Sequence, residues 1–164
     1  GAIARGAVGA YERENTPQEI LSEGTLAVSF SHDICADSTQ VPAAVPLGQK
    51  YQPSSAPGTD FETGDAISGW KCLKFTITNP VYYSYGYQGS RLDGSTGVGG
   101  GAANLGQSLP NGDAPGAVGE FLITANGDLD GDSLISSFGQ RGRVNDTTKS
   151  IRLATEIEIV DEYV

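Results

Sequence analysis

The first fourteen residues set the terms for the rest of the chain. In Gly1 to Glu14, the apolar residues Ile3, Ala4, Ala7, Val8 and Tyr11 recur at spacings of three and four, which places them in one stripe along a helix. Arg5, Glu12, Arg13 and Glu14 fall largely off that stripe. The helix starts with no capping residue before Ala2. It also carries Gly6 and Gly9, each costing about 1 kcal/mol relative to Ala. Isolated helices shorter than about 12–15 residues are marginal in water. This one therefore needs a sheet to lie on, and it reads as the C-terminal part of a longer helix.

A chain of 164 residues suits one domain with one core. Only 38% of the residues are hydrophobic and 23 are glycine, which favours a modest core wrapped by long loops. The net charge of -10, with a single His and no basic cluster, argues against nucleic acid or an anionic membrane as an electrostatic partner. No apolar run reaches the ~18 residues that a bilayer span needs. There is no signal peptide and no Met, so the chain reads as a processed or truncated form.

The two cysteines, Cys35 and Cys72, stand 37 residues apart. A bridge between them would stabilise the fold by ~3–4 kcal/mol through the unfolded state and would imply an oxidising compartment. The alternative is a pair of buried free thiols.

Asn15-Thr16-Pro17 ends the first helix. A second short helix is predicted from Thr16 through Glu23, stopped by Gly24. Residues 16–69 form the connection from helix to sheet. From Ser31 to Gly69 this connection is rich in Ser, Thr, Pro, Gly and Asp, with Val41, Val45, Leu47 and Tyr51 placed to dock it on the core. Residues 70–164 then supply the strands. Trp70 to Thr78 alternates through Leu73, Phe75 and Ile77, Asn79-Pro80 breaks the run, and Val81 to Tyr87 alternates again, which predicts an antiparallel hairpin. A glycine-rich loop covers 89–116, a length that is normally functional or mobile inside a small domain. Further strands are expected over Ala117–Ala125, Leu134–Phe138 and Ile151–Val160, with Gly139–Asn145 turning or fraying. Helix first and strands after is an α+β order: a helix packed on one face of a four- to five-stranded antiparallel sheet.

The search for catalytic chemistry is mostly negative. His32 lies in the string Ser31-His32-Asp33, but the members of a catalytic triad meet in space and not as sequence neighbours, so it reads as a solvated loop residue. Gly97 to Ala102 imitates a dinucleotide-binding turn without the strand before it or the helix after it. No nucleophile, base and orienting group assemble into an enzyme site, and no cofactor is implied. Asp128, Asp130 and Asp132 place three carboxylates on one tight turn. They suit either calcium, which takes oxygen ligands, or a hairpin turn in which Asp side chains accept local backbone N–H groups. An EF-hand is not matched, because the twelfth position from Asp128 is Gly139. Tyr82, Tyr83, Tyr85 and Tyr87 suit core packing, a subunit contact or a sugar platform. Asn145-Asp146-Thr147 matches an N-glycosylation acceptor.

Three stretches together resemble the head of a type IV pilin, especially the pilin-like proteins of deltaproteobacteria. They are Gly1 to Glu14, similar to the second half of the long pilin helix; Gly69-Trp70-Lys71-Cys72-Leu73-Lys74-Phe75 with Tyr82-Tyr83-Ser84-Tyr85, similar to the first sheet strands; and Gly127 to Asp132 with Ser136-Ser137-Phe138, similar to the hairpin near the end of the sheet. The resemblance implies a structural filament subunit, major or minor, acting in surface attachment or twitching motility. Its implied partners are other pilin subunits and the pilus assembly machinery. Its implied location is the extracellular pilus, with an inner-membrane stage and a periplasmic head before assembly. Membrane anchoring would belong to the apolar first half of the helix, which is absent here. Many pilins bridge a C-terminal loop, whereas Cys35–Cys72 would tie the helix-to-sheet connection to the first strand. The expected contacts are the exposed side of the first helix, the loop from Ser31 to Gly69 and the glycine-rich loop. The alternatives are a type II secretion pseudopilin, whose relatives commonly bind calcium at a sheet-edge loop, and a secreted glycan- or surface-binding module.

Overall fold

A computed structural model of the chain describes residues 1–13, 32–94, 108–145 and 147–161. The expected short helix over 16–23 and the imitation dinucleotide turn both lie outside these residues. The element order is α1 (Ala2–Glu12), a short 3-10 turn (Asp60–Glu62), α2 (Gly69–Leu73), β1 (Tyr83–Gly89), β2 (Glu120–Gly127), β3 (Ser136–Asn145), β4 (Ser150–Leu153) and β5 (Glu158–Val160). The fold is α+β, with an N-terminal helix and one antiparallel sheet.

The helix forms where its periodicity places it. Ile3, Ala4, Ala7, Ala10 and Tyr11 are buried, and all but Ala4 belong to a single core with Trp70, Leu73, Tyr87, Phe121 and Val144. Gly6 has a packing reason: a Cβ there would stand 2.5 Å from the Leu73 carbonyl oxygen, so α1 and α2 cross in close contact at this residue. Gly9 has open space around it.

The sheet runs β1-β2-β3-β4, and β5 also pairs with β3. Tyr85 faces Ala125, which faces Phe138, and Tyr87 faces Ile123, which faces Gln140. This is the face that shares the core with α1. The opposite face is polar yet buried, with Ser84, Thr124, Asn126 and Ser137 all under 4% exposed.

Four expectations are corrected. Trp70 does not begin a strand. Gly69 to Leu73 is α2, which buries Trp70 and Leu73 at helical spacing, and Lys74 ends it in the left-handed conformation at φ 50. Phe75 and Ile77 do pack against the core, but their segment carries no ladder, so the hairpin between Trp70–Thr78 and Val81–Tyr87 is absent. Instead β1 pairs with β2, far along the chain. Gly139 to Asn145 is strand and not turn. Its glycines admit neighbouring side chains, because a Cβ on Gly142 would strike the Phe121 ring and one on Gly139 would strike Leu109. The tail from Ile151 to Val160 is split into β4 and β5. Both lie antiparallel on β3, which continues through only two residues between Gly142 and Gly139 while the tail spends four between Leu153 and Glu158. The two extra residues of the tail break the ladder between β4 and β5.

Candidate functional site

Two groups of residues carry the chemistry, the acidic turn and the bridged strap. The acidic turn links β2 to β3. Asp128 is fully buried. Its Oδ1 accepts the Gly131 N–H at 2.6 Å and its Oδ2 accepts the Ser133 N–H at 2.9 Å. Asp130 accepts the Asp132 N–H at 3.3 Å, and Asp132 accepts the Leu134 N–H at 2.8 Å. Gly131 and Ser133 both adopt positive φ, at 79 and 75, which is how six residues reverse the chain this tightly. Each carboxylate therefore serves the turn, as Asx chemistry does. The turn also docks the connection from below, because the Gly48 N–H donates to the Asp128 carbonyl at 2.8 Å. The three side chains bring one oxygen each within 4.8 Å of one another, a donor set of the type a hard cation takes. Both sequence readings of this turn thus have geometric support.

The strap is the connection from His32 to Ser68. Cys35 and Cys72 are bridged, with Cα atoms 5.9 Å apart. The strap runs beside β1 and extends its edge: the Ser38 N–H donates to the Tyr87 carbonyl, and Val41 exchanges two hydrogen bonds with Tyr85. Trp70 Nε1 donates to the Thr39 carbonyl at 2.9 Å. Tyr87 Oη donates to the Cys35 carbonyl at 3.2 Å, and burial is the first cause that pushes this phenol above its ordinary pKa.

Sequence reasoning missed the ion pair that locks the strap. Arg91 Nη2 lies 3.1 Å from Asp33 and 2.8 Å from Asp93, and Nη1 donates to the Ile34 carbonyl at 2.9 Å. Asp33 Oδ1 also accepts the N–H groups of Ile34 and Leu92. Burial alone would lower the Arg91 pKa, but its hydrogen bond to Asp93 and the nearby Asp33 charge raise it. Nothing in the local sequence links positions 33 and 91.

His32 is exposed. Its Nδ1 lies 2.9 Å from the Tyr11 carbonyl and its ring sits 5.7 Å from the Tyr11 ring, so it covers the C-terminal turn of α1. Tyr87 is fully buried and Tyr85 half-buried, Tyr83 packs edge-on to Phe138, and Tyr82 is exposed beneath Lys50. Core packing thus takes Tyr85 and Tyr87. Asn145, at the end of β3, turns its Oδ1 toward the N–H groups of Thr147 and Thr148, while Asp146 of the glycosylation match lies outside the described residues. No helix among the described residues is long and apolar enough to cross a membrane.

Comparison with models of known protein families, with curated proteins and with solved structures finds no match to this chain.

Proposed function

We propose that this chain is the head of a type IV pilus subunit, a structural protein that works by assembly. One observation carries the reading: a helix that precedes every strand buries one stripe in the core of an antiparallel sheet and leaves Arg5 and Glu12 outward. A head of this kind presents the outer side of α1 and the strap to neighbouring subunits in a homopolymer built by pilus assembly machinery. It occupies the cell exterior once assembled and the periplasmic side of the inner membrane before that. Expression of the gene in a pilus-assembling bacterium, followed by shearing and immunogold labelling, tests this. Labelled filaments are the expected result, and labelled monomers alone would defeat the proposal.

The convergence of Asp128, Asp130 and Asp132 favours a second reading, a calcium-binding pseudopilin of a type II secretion system. Calorimetry with millimolar calcium separates the two. Heat of binding that disappears in Asp130→Asn moves the weight to the pseudopilin, and a flat titration removes calcium from the account.

A further inference from the structure

We draw no further inference here: the strongest candidate, the open apolar groove between the start of α1 and the sheet, lined by Ile3, Phe75, Ile77, Ile123, Phe138 and Ile157, carries nothing further because nothing in the structure shows what covers it.

Discussion

Gly6 and Gly9 make a matched pair for testing how α1 is held. Both sit in the same helix, and helix propensity alone says that either one becomes more stable by about 1 kcal/mol when replaced by Ala. Their surroundings differ. A Cβ at Gly9 meets nothing within 4 Å, whereas a Cβ at Gly6 falls 2.5 Å from the Leu73 carbonyl oxygen. To accept Gly6→Ala, that gap has to open from 2.5 Å to at least the 3.0 Å below which real Cβ contacts essentially never fall. The far wall is backbone, and it yields poorly: Leu73 is 1% exposed and its neighbour Cys72 is bridged to Cys35. Overpacking of this kind costs about 1–3 kcal/mol. Gly9→Ala should therefore stabilise by about 1 kcal/mol, while Gly6→Ala ranges from neutral to about 2 kcal/mol destabilised. Equilibrium urea unfolding with the disulfide intact measures both, and the slope m should stay unchanged. If Gly6→Ala stabilises as much as Gly9→Ala, then α1 and α2 do not cross where the structure puts them.

Three other changes probe the strap and the sheet. Replacing both cysteines by Ser removes a closure across a 37-residue separation, which should cost about 4 kcal/mol in chemical denaturation; a loss below 1 kcal/mol would mean that the strap holds without its bridge. Arg91→Leu strands the Asp33 carboxylate at 4% exposure and should cost about 3–5 kcal/mol, much of it recovered in the double variant with Asp33→Asn. Glu158 gives a pH signature. Burial alone would raise its carboxyl pKa, but hydrogen bonds from Arg141 and the Asn111 N–H outweigh burial and hold it below the ordinary 4.5. A depressed folded value means that its stabilisation is fully present above pH 4.5 and is lost as pH falls through that folded value. Glu158→Gln should accordingly lower Tm at pH 7 and converge with the wild type in acid, and a gap that stays constant with pH would contradict the ion pair.

What the sequence revealed was mostly local. The stripe of α1 follows from spacing along a single helix. The acidic turn follows from Asp and Gly crowded into a few residues, and the bridge from there being only two cysteines to pair. The ion pair of Arg91 with Asp33 was hidden for the opposite reason: it joins two loop positions that neighbouring residues do not mark, and only the folding of the strap against β1 brings them together. The glycines of β3 misled in an instructive way. Read by propensity, Gly139 and Gly142 are breakers, yet in the sheet they are the places where the Leu109 and Phe121 side chains lie against the backbone.

The misreading at Trp70 shows where pattern stops being sufficient. Leu73, Phe75 and Ile77 do alternate, and Phe75 and Ile77 do pack on the core as half-buried residues of an extended segment. Alternation reports which side of a chain is covered; it does not report whether a second strand lies beside it. A strand needs that neighbour to take up its N–H and C=O groups, and here β1 gives one edge to β2 and the other to the strap. No ladder position is left next to β1 for residues 75–78. Trp70 to Leu73, just upstream, meanwhile satisfy a helical rule, with Trp70 and Leu73 three apart and both buried, and Cys72 between them turned to its bridge. Two periodicities overlap on one short stretch, and the choice between them is made by the strap, which occupies the sheet edge that the expected hairpin would have used.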